Sequence, residues 1–340
     1  MAIKLLVVDD SAFMRRIITD IVGEIDGIEV AGIARNGMDA LDIIPKLQPD
    51  IITLDIEMPK LNGIDTLKEI KKKYKTPVIM LSSLTGTDTT IEALQLGAED
   101  FIEKPKDLNS DFNNFKSELE LKIKSVACED TKCSILKERK VSTKPIERPK
   151  DVDSVVIAAS TGGPKALVYL ISQLPKAINI PIFIVQHMPK GFTKSFAARL
   201  DNESQVKVVE ASHGMEIQRG VIYLAPGDYH MTIENNKIKL DSGKKLHGVR
   251  PAADLLFESA TKYYGNKLLG IVLTGMGRDG AEGMVSIKKA GGYNIVQNQE
   301  SCVVYGMPGS AVEKGVVHEI MSLEDISTSL NKMVKVKQWD

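Results

Sequence analysis

The segment Ile3-Lys4-Leu5-Leu6-Val7-Val8-Asp9-Asp10 decides the fold of the first part of the chain, because an apolar run of strand length ends there on two carboxylates. Apolar residues then recur at helical spacing, at Phe13, Ile17, Ile21 and Ile25. Similar apolar runs, each followed by a helical segment, recur at Glu29–Ala34, Asp50–Ile56, Pro77–Ser82 and Asp100–Glu103. This alternation predicts an α/β domain, with a doubly wound parallel sheet covered by helices on both faces.

Polar side chains with reactive chemistry stand at the carboxyl ends of four of these runs, where parallel strands meet at one edge of a sheet. They are Asp9 and Asp10, Asp55, Ser82 and Lys104. Three carboxylates at one place repel one another unless a hard divalent cation lies among them, and Mg²⁺ prefers such oxygen ligands. A single aspartate at a strand end is more simply a helix cap, but five residues in register on four strands favour a phosphoryl and Mg²⁺ site.

This set of residues resembles the receiver domain of bacterial response regulators over residues 1–127. The resemblance implies that Asp55 accepts the phosphoryl group and that Mg²⁺ is held by Asp9, Asp10, Asp55 and the main-chain carbonyl of Glu57. It also implies that Ser82, Lys104 and the aromatic Phe101 respond to phosphorylation, and that the Lys104-Pro105 bond is cis.

The chain has 340 residues, which exceeds what one hydrophobic core usually organises. Residues 128–152 lose all periodicity and are rich in Lys, Glu, Thr, Ser and Pro, so we expect a linker there and a second domain over residues 153–340. Cys128 and Cys133 lie in this stretch without nearby His, and we interpret them as linker thiols.

The second domain is also predicted to be α/β, because apolar runs alternate with helical segments at Val155–Ala159, Ile180–Gln186, Leu268–Thr274 and Tyr293–Val296. Val221–Ala225 and Tyr229–Leu240 indicate strands without intervening helices, and Asn235-Asn236 is typical of a hairpin turn. We therefore expect an antiparallel hairpin or sheet edge in this region.

Ser160 follows an apolar strand and precedes the turn Thr161-Gly162-Gly163 and a helix beginning near Pro164. A serine becomes nucleophilic when an imidazole takes its proton and a third group orients that imidazole. His187 ends a strand and so reaches the same sheet edge, whereas His213, His230, His247 and His318 have weaker positional support. Asp279 follows a strand through a glycine-rich turn, and Asp228 and Asp254 are the competing carboxylates.

Longer segments around these residues resemble the family of chemotaxis response regulator protein-glutamate methylesterases and glutamine deamidases, the CheB family. They are Ala159–Pro164, Gln186–Pro189, Ala225–Asp228, Leu273–Gly280, Gln297-Asn298 and Ser301–Pro308. The resemblance implies a serine hydrolase with nucleophile Ser160, base His187 and orienting carboxylate Asp279. The Met276 main-chain NH would donate to the oxyanion, and Thr161 would assist His187 or the oxyanion.

By the same resemblance, the substrates are glutamate γ-methyl esters and certain glutamines of methyl-accepting chemoreceptors. A chemotaxis histidine kinase would phosphorylate Asp55 and relieve occlusion of the hydrolase cleft, and the hydrolase step itself would need no cofactor. Two positions depart from the family pattern: Ala158 stands where Gly is usual, and Arg278 where a small polar residue is common. We expect them to alter the rate or the substrate preference without abolishing activity.

Two other functions compete with this hypothesis. Residues 160–163 could cradle a nucleotide phosphate, although the turn lacks a G-x-G-x-x-G spacing and a following Lys. The second domain could instead be a receptor-binding scaffold without catalysis. The net charge of −1 provides no global attraction to nucleic acid. Apolar runs of only strand length and the lack of a signal-peptide pattern predict a cytoplasmic protein without membrane insertion.

Overall fold

A computed structural model describes residues 2–83, 87–105, 107–127, 149 and 151–334, and at residues 108–111 it describes the backbone only. The chain divides into two compact units, residues 1–137 and 138–340. The predicted linker 128–152 lies mostly outside the described residues, as do Cys128 and Cys133, so the predicted domain bounds stay a prediction. No helix in the described ranges is both long and apolar enough to cross a bilayer.

The first unit contains a five-stranded parallel sheet with the strand order β2-β1-β3-β4-β5, as the β-α alternation predicts. Its strands are β1 (Ile3–Val8), β2 (Ile28–Ala34), β3 (Ile51–Asp55), β4 (Val78–Ser82) and β5 (Asp100–Glu103). Its helices are α1 (Ala12–Gly23), α2 (Gly37–Leu47), α3 (Gly63–Lys73), α4 (Thr87–Gln95) and α5 (Leu108–Ala127). The predicted strand bounds agree with the observed ones to within one residue.

Helix caps fix where the chain turns at the carboxyl edge of this sheet. Ser11 caps α1 by accepting a hydrogen bond from the Met14 amide at 3.3 Å, so the helix begins directly after the two aspartates that follow β1. The central strands β3 and β4 are buried along their whole length. This buried sheet therefore supports the polar residues that stand at its edge.

The second unit contains a seven-stranded parallel sheet with the order β14-β13-β12-β6-β7-β9-β8. Its strands are β6 (Ser154–Ala159), β7 (Ile182–Gln186), β8 (Lys207–Glu210), β9 (Val221–Leu224), β12 (Leu268–Val272), β13 (Tyr293–Gln297) and β14 (Glu319–Met321). Its helices are α6 (Gly163–Ser172), α7 (Phe192–Glu203), α8 (Ala253–Tyr264), α9 (Ala281–Lys289), α10 (Gly306–Glu313) and α11 (Leu323–Val334). Short 3-10 turns lie at Gly265–Lys267 and Gln299–Ser301.

The predicted hairpin is present as the antiparallel strands β10 (His230–Glu234) and β11 (Lys237–Asp241). Asn235 and Asn236 connect them with φ values of 50° and 58°, the left-handed conformation that a two-residue type I′ turn requires. Among the strands of the described residues only β10 and β11 form an antiparallel ladder, because β9 pairs in parallel with β7 and β8. Two isolated antiparallel bridges, Glu216 with Lys237 and Leu246 with Val249, lie outside this ladder. Strands β8 and β14 were not predicted, since they are only four and three residues long and mostly half-exposed.

Candidate functional site

Lys104 joins two of the predicted receiver carboxylates at the edge of the first sheet. Its Nζ lies 2.9 Å from Asp9 Oδ2 and 2.8 Å from Asp55 Oδ2. Both aspartates are almost completely buried, at 0% and 3% exposure. Burial lowers the pKa of Lys104, but the two carboxylates outweigh this effect and hold it above its ordinary value. The lysine is therefore a fixed positive charge between two buried acids.

Asp55 has a raised pKa, which is unusual for an aspartate. Burial is the largest influence and raises its pKa to about 6, with Lys104 opposing the shift and Asp9 adding to it. Its Oδ1 accepts only a long hydrogen bond, 3.4 Å, from the Glu57 amide. Asp55 is consequently a carboxylate with few donors.

The carboxylates have the composition and spacing of a divalent-cation site. Asp9, Asp10 and Asp55 can each offer one oxygen, and these oxygens lie within 4.8 Å of one another. A cavity of about 250 Å³ opens here, and its lining includes Asp10, Asp55, Glu57, Ser82 and Lys104. The residues present thus fit Mg²⁺, the ion that the acidic cluster predicted.

Of the three residues expected to respond to phosphorylation, Ser82 and Lys104 line this cavity, whereas Phe101 is not among its lining residues. The Ser82 hydroxyl, fully buried, forms a short hydrogen bond with the Thr90 hydroxyl and donates to the Ser83 carbonyl at 3.1 Å. Phe101 is 3% exposed, and Lys122 Nζ lies 5.4 Å from the centre of its ring.

The expected cis bond at Lys104-Pro105 is absent. Among the described residues the only cis peptide bond is Arg250-Pro251. A trans X-Pro bond is favoured by about 0.5–1 kcal/mol, and the Lys104 side chain reaches both aspartates from it.

Ser160 and His187 come together because their strands are neighbours in the second sheet. Strand β6 pairs with β7 so that Ala159 opposes Gln186, and the next residue of each strand is Ser160 or His187. The His187 amide donates to the Ala159 carbonyl at 3.1 Å, and the Ser160 amide donates to the Thr274 carbonyl at 3.0 Å. The predicted nucleophile and base therefore lie side by side near the middle of the sheet edge.

The turn after Ser160 depends on glycine. Gly162 has φ 77° at the N-cap of α6, and a Cβ there would lie 2.6 Å from the Val303 side chain. The Ser160 carbonyl accepts from the Gly163 amide at 2.7 Å, which closes the turn into the helix.

His187 is hydrogen-bonded to the predicted orienting carboxylate. Its Nε2 lies 2.8 Å from Asp279 Oδ2. Asp279 is 2% exposed and also accepts from the amides of Ala253 at 2.6 Å, Asp254 at 3.0 Å and Gly280 at 3.0 Å. Burial raises the pKa of Asp279, but His187 and the amides of Ala253 and Asp254 lower it below its ordinary value overall.

Within the described ranges no hydrogen bond joins the Ser160 hydroxyl to His187. Because Nε2 of the imidazole faces Asp279, Nδ1 is the nitrogen that remains for the serine. Contacts between nucleophile and base are often loose before substrate binds, so this geometry is compatible with a Ser-His-Asp site.

The other candidate histidines and carboxylates have different partners. His213 lies against the main chain of Leu240, His230 bridges the Lys244 carbonyl and the Ala252 amide, and His318 accepts from the Asn294 amide. Asp228 lies 3.7 Å from Arg250. His247 and Asp254 pair with each other at 2.9 Å.

The glycine-rich turn brings Met276 toward the predicted nucleophile. Gly275 packs so closely that a Cβ there would lie 2.8 Å from the Ser160 Cβ. The Met276 amide has no acceptor among the described residues. Thr161 is 3% exposed, and its carbonyl accepts from the Thr274 hydroxyl at 2.9 Å.

The two departures from the family pattern are accommodated differently. Ala158 is fully buried within β6, which continues unbroken through Ala159. Arg278 is exposed, and its Nε donates to His247 Nδ1 at 3.3 Å.

Two residues that the sequence interpretation did not select hold the site together. Gln186 Nε2 donates to the carbonyls of Ser160 at 3.0 Å and His187 at 3.3 Å. The Thr274 hydroxyl accepts from the amides of Val303 and Val304 while donating to Thr161. Gln186 and Thr274 are each a polar residue at the end of an apolar run, and this pattern could have identified them from the sequence.

Comparisons with known proteins agree on both units. The model of the CheB methylesterase family matches residues 155–330, and that of the response regulator receiver domain matches residues 5–111. The protein-glutamate methylesterase/protein-glutamine glutaminase of Pyrococcus horikoshii is 44% identical over 98% of this chain and 94% of its own length. That of Thermotoga maritima is 44% identical over 98% of both chains. The crystal structure of the Thermotoga maritima CheB methylesterase catalytic domain covers 54% of this chain and all of its own, with 42% identity and a TM-score of 0.52.

Proposed function

This chain belongs to the CheB methylesterase family, with a receiver domain ahead of the catalytic domain, and we propose that it hydrolyses glutamate γ-methyl esters and deamidates certain glutamines of methyl-accepting chemoreceptors. The observation that carries the proposal is the 2.8 Å contact between His187 Nε2 and Asp279 Oδ2, at the sheet edge where Ser160 directly follows β6. The family comparisons support this hydrolase, and they do not favour the competing nucleotide-binding or scaffold functions.

In the first step the Ser160 hydroxyl attacks the γ-carbonyl carbon of the ester, and His187 takes the hydroxyl proton at Nδ1. The imidazolium that forms is stabilised by Asp279, whose lowered pKa keeps the carboxylate ionised at neutral pH. The proton then passes to the leaving methoxide, and methanol departs as the acyl-enzyme forms.

The negative charge on the attacked oxygen needs preorganised donors. The Met276 amide lacks an acceptor in the described part of the chain and belongs to the turn that packs against Ser160. It is therefore available to donate to the oxyanion, and Thr161, the residue after the nucleophile, would assist.

In the second step water replaces the serine. His187 removes a proton from water, hydroxide attacks the acyl carbon, and the imidazolium returns a proton to Ser160, which leaves a glutamate carboxylate. The same sequence on a glutamine side chain releases ammonia instead of methanol.

A Ser160→Ala variant tests the hydrolase directly. It should fold normally and release no methanol from methylated receptor, because the nucleophile is removed while the binding surface remains. Methanol release at the native rate would reject Ser160, and failure of a serine-reactive probe to label the native chain at Ser160 would reject the mechanism.

The receiver provides the regulatory site. Asp55 would accept the phosphoryl group, with Asp9, Asp10, Asp55 and the Glu57 carbonyl holding Mg²⁺ and with Lys104 contacting a phosphoryl oxygen. Bound Mg²⁺ would neutralise charge between the carboxylates and the phosphoryl oxygens. Ser82 and Phe101 would then shift the receiver toward its active state.

Activation is proposed to relieve occlusion of the hydrolase cleft, through a population shift toward an open form. A chemotaxis histidine kinase would supply the phosphoryl group, and the cytoplasm is the compartment that suits this pair of partners. A small-molecule phosphodonor should raise the methanol release of the native chain and leave an Asp55→Asn variant unchanged. An Asp42→Asn variant, altered at an exposed position on α2, should respond like the native chain. Equal stimulation of the Asp55→Asn variant would reject this phosphorylation site.

A further inference from the structure

A second His–Asp pair lies next to the proposed catalytic one. His247, in the loop before α8, places Nε2 2.9 Å from Oδ2 of Asp254, the second residue of α8. Asp254 is 2% exposed, and burial raises its pKa, with Asp279 adding to the increase and His247 opposing it. A buried carboxylate with few donors is destabilising, so the hydrogen bond from His247 has a clear physical purpose.

Asp254 connects the two helix starts between which Asp279 is held. Its main-chain amide donates to Asp279 Oδ1 at 3.0 Å, and its side-chain Oδ1 accepts from the Gly283 amide in the first turn of α9 at 2.8 Å. The Asp254 side chain therefore anchors the residue whose main-chain amide donates to Asp279.

Arg278 determines the tautomer of His247. Its Nε–H donates to His247 Nδ1 at 3.3 Å, so Nδ1 must be unprotonated and the ring proton must lie on Nε2. That proton is the one donated to Asp254. Arg278, which departs from the family pattern, thus has a partner in this second pair.

A metal site is a weaker interpretation of the same residues. His247, Asp254 and Asp279 can each offer an atom within 4.8 Å of the others. However, each Asp279 oxygen already accepts two hydrogen bonds, and both Asp254 oxygens accept one. The carboxylate lone pairs of Asp254 and Asp279 are thus used by hydrogen-bond donors, which favours a positioning role over metal binding.

We propose that His247 and Asp254 form a positioning pair, with the His247 tautomer fixed by Arg278, and that this pair holds the Asp279 carboxylate toward His187. The inference deepens the proposed hydrolase function and rests on it. The pair acts through Asp279 and does not touch the substrate.

The test compares His247→Met with His247→Gln in the full chain. Both side chains have similar length and meet the same backbone strain at φ 52°, but only Gln can donate to Asp254. We expect the Met variant to lose about 10-fold in kcat with an unchanged KM, because a misplaced Asp279 weakens the transition state alone. The Gln variant should recover most of the native kcat.

Two kinetic outcomes would overturn the proposal: a native kcat in the Met variant, or a Gln variant as slow as the Met variant. A purely structural role would lower thermal stability in both variants without this split. Should the Met variant not fold, ¹⁵N-histidine NMR of the native chain decides the matter. Protonation of His247 at Nε2 supports the pair, and protonation at Nδ1 rejects it.

The rate at which a fluorophosphonate probe labels Ser160 distinguishes a failure of the positioning pair from a failure of the proposed hydrolase function. No labelling of the native chain would mean that the hydrolase assignment has failed. If the native chain is labelled and the His247→Met variant is labelled at the same rate, only the positioning pair has failed.

Discussion

Asp55 and Asp279 are both buried carboxylates at the carboxyl edge of a parallel sheet, yet their pKa values shift in opposite directions. Asp55 is raised to about 6, whereas Asp279 lies below its ordinary value. Exposure cannot explain the difference, because the two residues are 3% and 2% exposed.

The number of hydrogen-bond donors explains it. Asp279 accepts from three amides and from His187, and two of the amides begin α8, where the helix dipole favours negative charge. Asp55 has Lys104 and one long amide contact, and it lies near the negative charge of Asp9. The same sheet edge can therefore stabilise a permanent anion or leave a carboxylate short of donors.

The largest expected effect is on catalysis at Asp279. An Asp279→Asn variant should lose about 10³–10⁴-fold in kcat, because the amide can no longer stabilise the imidazolium or hold its tautomer. Methanol release measures the loss. Asp228→Asn, altered at the competing carboxylate, should retain native activity. Similar losses in both variants would mean that Asp279 has no special role.

The Asp279→Asn substitution should also lower the free energy of unfolding, and this effect is smaller than the effect on catalysis. The Asn amide would turn NH₂ toward amides that now donate to Asp279, which should cost about 1–3 kcal/mol of unfolding free energy at pH 7. Because the folded pKa is lowered, this contribution is present above the unfolded pKa near 3.8 and is lost as pH falls through the folded value. Calorimetry of both chains across pH 5–8 should show a constant difference, which narrows as the pH falls below about 4. A difference that shrank as the pH rose from 5 to 8 would contradict the lowered pKa, because only a raised folded pKa makes the native chain lose stability with rising pH.

The Asp55→Asn substitution should change the free energy of unfolding in the opposite direction, and this is the smallest of the three expected effects. With a folded pKa of about 6, its protonated form stabilises the fold below the unfolded pKa, and this contribution is lost as pH rises through 6. In metal-free buffer, Asp55→Asn should therefore stabilise the receiver by about 1–2 kcal/mol at pH 7 and by less at pH 5. Asp42→Asn should have no such effect. A destabilised Asp55→Asn variant would remove the contrast with Asp279.

Residues that end apolar strands were predictable, because the strand period and the parallel-sheet rule together place them at one edge. Asp9, Asp55, Lys104, Ser160 and His187 are all of this kind, and the receiver contacts and the His187–Asp279 contact agree with that expectation. Their catalytic and regulatory roles stay predictions.

Residues whose importance depends on packing across distant segments could not be predicted in this way. His247 and Asp254 lie only seven residues apart, but their pairing matters because Asp254 also reaches Gly283 and Asp279. The Thr274 hydroxyl likewise forms hydrogen bonds with Thr161 and with Val303 and Val304, which lie more than a hundred residues from Thr161 in the sequence.

By itself the sequence determined two α/β units, the turn residues at Asn235-Asn236 and the side chains that end the strands, since these follow from local periodicity and backbone preference. Only the tertiary structure decided the order of the strands, the number of donors around each carboxylate and therefore the direction of each pKa shift. Charge stabilisation in a buried site depends on which amides surround it, and those amides come from segments far apart in the chain.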